Sequence, residues 1–343
     1  MEYKTLIKSK YLKIYNDQIT INIFFFLNTF INIYKYLKLI IIIILNIYLL
    51  FNLIGNYKYP IKNDNNNNII RKINDFIIIC TKGKLINNIP KNVLSPKITG
   101  LIIVYNSENT ILSSIRSIQN QNMSEIEILI IDDFSTDNTL KIINELQKND
   151  PRIKIIKNIH NKGSLYSRSI GALNSKGKYI MALDSDDLFI NKNIFNICYK
   201  ESEFNKLDIV EFSGFQLKKK IIKLNNKFPK IALYLRDKHI NQTLKQPQLF
   251  NSLYLKNRSK IIKLTDAYIW GKCINSQIYK KALNILGEHI YTSFFNYGED
   301  RIVNFIFFKI ANTFKFINEY GIIYYYNPLS VCNSFKKELI YSS

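Results

Sequence analysis

The sequence predicts an α/β fold in which a mostly parallel sheet is flanked by helices. Between residues 98 and 215, short apolar runs alternate with segments in which apolar residues recur every three or four positions. Runs of the first kind are typical of buried strands, and segments of the second kind are typical of amphipathic helices. Their alternation is the pattern of parallel strands connected through helices, and two of the runs end directly in carboxylates.

Four strands can be placed in this region, over residues 101–105, 127–131, 153–156 and 179–183. The helices between them are predicted from their apolar faces, which comprise Ile111, Leu112, Ile115 and Ile118, then Leu140, Ile143 and Leu146, then the segment 165–173. Thr136 or Asp137 is expected to cap the second helix. A late aromatic strand is expected over residues 320–326.

The fourth strand runs straight into the acidic sequence Asp184, Ser185, Asp186 and Asp187. Because side chains alternate along a strand, Asp184 and Asp186 can lean toward the same crevice, at the edge where open parallel sheets bind ligands. Carboxylates packed this closely repel one another, and a hard divalent cation that also bridges a diphosphate would relieve the repulsion. The alternative is a solvated acidic turn or a helix cap formed by Asp186 or Asp187.

The positive charge of the chain does not indicate a nucleic-acid partner. The formal net charge is +22, yet only seven of the 48 basic residues are Arg, the residue that phosphate and base recognition favours. Asn, Ile and Lys are over-represented together, which indicates codon bias. The four cysteines are scattered, with no Cys-x-x-Cys pair, so neither a zinc site nor a disulfide framework is indicated.

An apolar run near the N-terminus predicts a membrane anchor. Residues 36–57 approach the roughly 20 apolar residues that a transmembrane helix needs; an apolar helix of a soluble domain is the alternative. Lysines upstream of the run slightly outnumber the basic residues close behind it, which favours a cytoplasmic N-terminus. A second crossing over residues 21–34 would reverse this orientation. The expected protein is a single-pass type II membrane protein whose main domain lies in the lumen of the Golgi or the endoplasmic reticulum.

The predicted domain organisation follows from these segments. It comprises a cytoplasmic segment (1–35), the transmembrane anchor (36–57), a polar Asn-rich stem (58–97), an α/β domain (98–333) with halves 98–215 and 216–333, and a tail (334–343).

Six short motifs follow one another along the α/β domain. They are IIVYN at 102–106, IDDFSTDNT at 131–139, NKG at 161–163, SRSIG at 167–171, KGKYI at 176–180 and LDSDD at 183–187. In this order they resemble the family 2 glycosyltransferases, whose catalytic domain has the GT-A fold. The resemblance implies an α/β domain that binds a nucleotide-diphospho-sugar, with 98–215 as the nucleotide-sugar-binding half and 216–333 as the acceptor half.

The resemblance assigns the donor site to strand ends and turns. The residues implied in nucleotide-sugar binding are Tyr105, Asn106, Asp132, Asp133, Lys162, Arg168, Asp184 and Ser185. Asp133 is the residue chiefly implied in accepting the ring N–H of a uracil-type base, with a helix cap as the alternative. Asp186 is implied as the ligand of a Mn²⁺ or Mg²⁺ ion, together with Asp184. A plain turn followed by a surface arginine is the alternative for Lys162 and Arg168.

The second half supplies the remaining candidates. Glu299 and Asp300 precede an apolar run and resemble the acidic motif at the start of a family helix, where Asp300 would be the catalytic base; Glu299 stays open as the base, and ordinary acidic capping is the alternative. Trp270 and Lys272 resemble the family's acceptor-side segment, while a core aromatic is the alternative for Trp270.

Two residues depart from the family pattern. Phe134 stands where the family usually has Gly, and Val104 where it often has Pro; Phe134 could narrow the nucleotide crevice. The Gln-x-x-Arg-Trp signature of processive synthases is absent from the sequence. The expected activity is therefore the metal-dependent, inverting transfer of one sugar, from a nucleotide sugar that is expected to be a UDP-sugar to a hydroxyl of a glycan, glycoprotein or lipid. A catalytically silent nucleotide-sugar-binding protein is the alternative.

Overall fold

The computed structural model describes residues 95–218, 232–233, 243–246, 268–292 and 299–326, together with isolated positions between 75 and 93. The predicted anchor (36–57), the segment before it, most of the stem and the tail lie outside the described residues. Within the described ranges, no helix combines the length and apolar character that crossing a membrane requires.

The first half of the domain has the predicted alternation of strands and helices. Its elements are β1 (Ile98–Val104), α1 (Ile111–Gln119), β2 (Ile126–Asp132), α2 (Thr139–Asn149), β3 (Ile153–Lys157), α3 (Ser164–Asn174) and β4 (Tyr179–Asp184). Each predicted strand and helix of this half is confirmed. The N-cap residue of α2 is Asn138. Asp137, one residue earlier, accepts the backbone N–H of Thr139 on its Oδ1 atom at 3.0 Å and so stabilises the first turn of the helix.

Beyond β4 the chain forms further elements, most of which the sequence patterns did not define. They are β5 (Leu188–Phe189), α4 (Ile194–Asn205), β6 (Ile209–Lys218), β7 (Ala232–Leu233), β8 (Thr243–Lys245), β9 (Lys272–Asn275), α5 (Ser276–Leu286), α6 (His289–Thr292), α7 (Glu299–Ile310) and β10 (Thr313–Tyr326). The predicted late strand is the end of β10. This strand starts at Thr313, earlier than expected. Its pairing with β6 shifts register between Phe316 and Ile322, and because this irregularity interrupts the apolar alternation, the first part of the strand was not predicted.

The sheet is mixed, which corrects the prediction of a mostly parallel one. Its order is β3-β2-β1-β4-β9-β6-β10-β5, with β7 on β6 and β8 on β10. The strands β3, β2, β1 and β4 are mutually parallel, as expected. The short strand β9 then pairs antiparallel with both β4 and β6, and this pairing joins the four parallel strands to the rest of the sheet.

Helices cover both faces of the sheet because its strands are apolar on both sides. On β2, Ile128 and Ile130 pack into the cluster that contains the buried sides of α1, α2 and α4, whereas Leu129 and Ile131 pack into the cluster that contains those of α3, α5 and α7. A strand buried on both faces has a nearly continuous apolar sequence, which is why the apolar run of β2 was enough to predict it.

The strand order creates one crevice at the carboxyl ends of β1 and β4. From β1 the chain proceeds outward to β2 and β3, and it then returns to place β4 on the opposite side of β1. The loops after β1 and β4 therefore diverge, and ligands of open α/β sheets bind at such a switch point.

Candidate active site

Hydrogen bonds connect the loop after β1 to the loop after β2 at the crevice. The backbone N–H of Asp133 donates to the carbonyl oxygen of Val104 at 2.8 Å. Asn106 donates its backbone N–H to the Ser135 hydroxyl at 3.1 Å, and its side-chain Oδ1 accepts the N–H of Thr136 at 2.8 Å. The Asn106 side chain therefore positions the two loops, while the neighbouring Tyr105 side chain is exposed.

Asp133 anchors the turn before α3. Its Oδ1 accepts the backbone N–H of Lys162 at 2.8 Å and the amide of Asn158 at 2.7 Å, and its Oδ2 accepts the N–H of Gly163 at 2.8 Å. Gly163 has a φ of 86°, which favours glycine at that position. The neighbouring Asp132 is fully buried, and its Oδ2 has no hydrogen-bond partner among the described residues.

The acidic loop after β4 divides into a structural and an accessible part. Asp187 is buried, and its Oδ1 accepts the backbone N–H of Tyr325 at 2.9 Å, so it ties the loop to β10. The hydroxyl oxygen of Ser185 lies 2.8 Å from that of Ser107, which connects this loop to the one after β1. Asp184 and Asp186 are the partly exposed acids of the loop.

Arg168 connects residues that are far apart in the sequence. One of its terminal nitrogens, Nη2, donates to Oδ1 of Asp184 at 3.0 Å. The other, Nη1, donates to Oδ1 of Asp300 at 2.6 Å and lies 3.5 Å from Oε1 of Glu299. The guanidinium is buried, whereas Asp184 and Asp300 keep 36% and 18% of their side chains exposed. The structure thus brings together four predicted site residues, which we call the Arg168 cluster.

One cation faces three carboxylates in this cluster, and the protonation of its members reflects the imbalance. Burial, only partly offset by Arg168 and reinforced by Asp300 and Asp186, raises the pKa of Asp184 to about 6. Burial and the nearby Asp300 also raise the pKa of Glu299. For Arg168, burial alone would lower the pKa, but the carboxylates raise it above its ordinary value, so the guanidinium stays charged.

The two predicted base candidates occupy the first turn of α7 in different environments. Glu299 is buried and accepts a short hydrogen bond from the hydroxyl of Ser164. Asp300 is more exposed, and its Oδ2 accepts the backbone N–H of Ile269 at 3.3 Å. Both acids also lie where a helix dipole favours negative charge, so the capping role expected as the alternative is compatible with the site.

Trp270 and Lys272 are both buried, but they have different partners. Trp270 stacks on Tyr268 and Tyr324, with ring centroids 4.5 and 5.8 Å away, and is almost fully buried. Lys272 is 1% exposed, its ammonium lies 3.4 Å from a carboxylate oxygen of Glu211, and it donates to the carbonyl of Tyr268. In this structure Lys272 therefore holds the segment before β9 in place, and its acceptor-side role stays a prediction.

Sequence reasoning missed several residues that position the site. Ser114 donates to the carbonyl oxygens of Ser185 and Asp187, both at 2.8 Å, and its signal is a polar residue within the apolar face of α1. Asn158 follows β3 directly. Its signal is its position at the carboxyl edge of the sheet, where open α/β sheets bind ligands. Ser164 carried no signal, because its partner Glu299 is 135 residues away.

The donor set suits a hard divalent cation only in part. Asp184 and Asp186 offer carboxylate oxygens, and the excess of negative charge around Asp184 favours a cation. Within the ranges that the structure describes, however, no group of three or more His, Cys, Asp or Glu side chains could hold a metal ion. The residues thus fit an ion that takes its other ligands from a diphosphate and water, as Mg²⁺ does in phosphate-binding sites.

The fold and site define an α/β domain with an acidic crevice at the switch point of its sheet. Residues 100–252 match the model of "Glycosyl transferase family 2". An uncharacterized glycosyltransferase of Haemophilus influenzae is 43% identical over 27% of this chain and 29% of its own length. The uncharacterized glycosyltransferase EpsJ of Bacillus subtilis is 27% identical over 69% of this chain and 63% of its own length.

Two further comparisons agree. The UDP-Glc:alpha-D-GlcNAc-diphosphoundecaprenol beta-1,3-glucosyltransferase WfaP of Escherichia coli is 41% identical over 30% of this chain and 41% of its own length. The crystal structure of S. aureus TarS 1-349 in complex with UDP-GlcNAc superposes with a TM-score of 0.51 at 18% identity, over 67% of this chain and 59% of that one, and shows the same fold. The chain spans between 29% and 63% of the length of these curated relatives. The α/β domain of this chain thus matches family 2 of the glycosyltransferases over residues 100–252, and the relatives that it resembles are glycosyltransferases.

Proposed function

We propose that this chain transfers a single sugar from a UDP-sugar to an acceptor hydroxyl, with inversion at the sugar and with the help of Mn²⁺ or Mg²⁺. The observation that carries the proposal is the Arg168 cluster. It joins Asp184, at the end of β4, to Asp300, at the start of α7, through one guanidinium. A donor-side acid and a candidate base are thereby held on opposite sides of one buried cation.

The donor side supports a nucleoside diphosphate. The crevice lies at the switch point of a parallel sheet segment, where nucleotides bind in open α/β folds. Asp133 and the turn that it anchors stand at one end of the crevice, and the acids after β4 stand at the other. The name of WfaP specifies UDP-Glc for that relative, which makes UDP the first nucleotide to test here.

A divalent cation bound with the donor would supply charge neutralisation at the leaving diphosphate, acting as a Lewis acid. Asp186 and Asp184 are the residues that would hold it. Asp184 already contacts Arg168 at 3.0 Å, so its second carboxylate oxygen is the one that can face the ion. Because two carboxylates are a weak site alone, we expect the ion to bind much more tightly with nucleotide than without it.

Asp300 is the base that the geometry favours over Glu299. An acceptor hydroxyl must approach the base within hydrogen-bond distance, about 2.6–3.2 Å. Glu299 is buried and already accepts a short bond from Ser164, whereas Asp300 keeps part of its side chain exposed. Arg168 fixes the orientation of Asp300 by a 2.6 Å contact, and each carboxylate oxygen retains capacity for a further proton donor.

A hydrolysis screen tests the proposal directly. The full chain is incubated with UDP-, GDP- and CDP-sugars in the presence and absence of Mn²⁺, and release of the nucleoside diphosphate is measured. We expect slow release from a UDP-sugar that requires the ion and is lost in Asp300→Asn. Tight UDP binding without turnover on any donor or acceptor would instead favour a catalytically silent nucleotide-sugar-binding protein.

The location is proposed from the sequence alone. A single anchor at 36–57 with a cytoplasmic N-terminus would place the α/β domain in the lumen of the Golgi or the endoplasmic reticulum, near glycan, glycoprotein or lipid acceptors. Protease protection of microsomes that carry a C-terminally tagged chain tests this proposal. Digestion of the tag without detergent would contradict the lumenal placement and would leave the proposed chemistry unaffected.

A further inference from the structure

Two exposed aromatic side chains stand at the end of the crevice where Asp133 lies. Tyr105 directly follows β1 and is 50% exposed, and Phe134 directly follows Asp133 and is 41% exposed. The hydrogen bond from the Asp133 N–H to the Val104 carbonyl, at 2.8 Å, aligns the ends of the two strands. The two aromatic residues therefore leave neighbouring strands at the same level.

The backbone at Phe134 adopts a conformation that a bulky side chain disfavours. Its φ is 70°, in the left-handed region where the Cβ atom of an L-residue crowds the following carbonyl. Glycine adopts this conformation freely. The Phe134 ring is also too exposed for core packing to explain its presence. Strained residues of this kind persist where surrounding structure imposes them, and they cluster at ligand sites.

Hydrogen bonds hold both loops in fixed positions relative to each other. In addition to the bonds of Asn106, the backbone N–H of Glu108 donates to Asp137 at 3.1 Å, and Glu108 accepts the N–H of Asn138 at 3.0 Å. Among the described residues, no other aromatic ring packs on Tyr105 or Phe134. The loops that carry the two exposed rings are thus held in place before a ligand binds, which lowers the entropic cost of binding one.

We infer that Phe134 binds the base of the nucleotide and forms, with Tyr105, two walls of a slot for it. The inference rests on the proposed function and extends it to base recognition. Stacking on aromatic side chains contributes affinity and tolerates any base, because every base has a π-face. Base identity is then read by the polar groups next to the slot, including Asp133, and affinity for the base comes largely from the two rings.

The substitution Phe134→Gly separates this role from a structural one. In the full chain, titrated with UDP and Mn²⁺ by calorimetry, we expect Phe134→Gly to weaken UDP binding roughly tenfold. The thermal unfolding midpoint is expected to stay the same or rise, because glycine relieves the left-handed backbone. Lower affinity in a protein that is no less stable cannot result from partial unfolding.

Matched measurements isolate the base. Inorganic pyrophosphate lacks a base, so its binding is expected to be equal in the parent chain and in Phe134→Gly. Phe134→Trp is expected to retain the UDP affinity, and Phe204→Ala, which removes a ring that is 88% exposed on α4, is expected to change nothing.

Three results would overturn the inference. Unchanged UDP affinity in Phe134→Gly would reject the base-binding role while leaving the proposed function intact. Equal weakening for UDP and pyrophosphate would show that Phe134 acts through the loop and not on the base. A parent chain that binds no nucleoside diphosphate would reject both the proposed function and the inference.

Discussion

Among the residues that the structure describes, two buried arginines contact carboxylates, and their surroundings differ. Arg152 pairs with Asp150 alone, through Nε at 3.0 Å from Oδ1 and Nη2 at 2.8 Å from Oδ2, and both side chains are sealed from solvent. Arg168 faces three carboxylates, two of which remain partly exposed to the crevice. The first pair is neutral and closed, whereas the Arg168 cluster is acidic and open on one side.

The difference indicates which ion pair serves the fold and which serves a ligand. In the closed pair, Arg152 binds both carboxylate oxygens of Asp150, and Gln119 donates a further hydrogen bond to Asp150 at 2.7 Å. This pair therefore has no capacity left to bind a ligand. An open cluster with excess negative charge keeps capacity for an added cation or a proton. Lys272 and Glu211 are also almost fully buried, so their ion pair is closed to solvent like the first one.

The largest effect is expected at the open cluster. Asp300→Asn keeps the shape of the side chain but removes the proton acceptor, so turnover at saturating donor is expected to fall roughly a hundredfold or more while UDP affinity is kept. Steady-state kinetics and UDP calorimetry check both parts. A greater loss of turnover in Glu299→Gln than in Asp300→Asn would assign the base to Glu299.

At the closed pair we expect a loss of stability instead. Arg152→Met leaves the Asp150 carboxylate buried without its cation, and breaking a buried pair in this way costs about 3 kcal/mol or more. Urea unfolding of the chain measures the loss. The turnover per folded molecule is expected to remain that of the parent chain, and a selective loss of turnover would contradict the distinction between the two arginines.

A smaller effect is expected for the metal ligand. Asp186→Ala should reduce UDP affinity in Mn²⁺ by roughly tenfold, about 1.4 kcal/mol, because the diphosphate loses a bridging ion. Removing Mn²⁺ with a chelator should weaken UDP binding in the parent chain by the same factor and should have little effect in the variant. Equal affinities of parent and variant in Mn²⁺ would exclude Asp186 as a ligand.

The smallest effect concerns pH at the closed pair. Burial opposes ionisation of Asp150, but hydrogen bonds from Arg152 and Gln119 outweigh it and lower the pKa of this carboxyl. A carboxyl with a lowered folded-state pKa contributes stability that is present above its unfolded pKa, about 3.9. The contribution is lost as the pH falls through the folded-state value. Urea midpoints at falling pH should therefore converge for the parent chain and Asp150→Asn, and a constant gap would contradict this assignment.

Much of the first half of the domain was predictable from the sequence because its signals are local. The strands β1 to β4 are short apolar runs, the helices between them have apolar faces, and Asp184 stands at a strand end where a crevice was expected. The antiparallel strands β6 and β9 were not predicted. Strand β9 has only four residues, and its pairing partners lie far away in the sequence.

The sequence by itself determined the elements of the nucleotide-side half, the polar residues at its strand ends and the order of its motifs, because each depends on residues within about one helix or strand length. Only the tertiary structure decided that Arg168 contacts Asp300, 132 positions away, that Lys272 is buried against Glu211, and that the Phe134 ring stays exposed. These outcomes depend on the insertion of β9 between β4 and β6 and on the backbone conformation of one loop. Long-range pairing and loop geometry are set by the packing of the whole domain, so they cannot be predicted from the periodicity of a single segment.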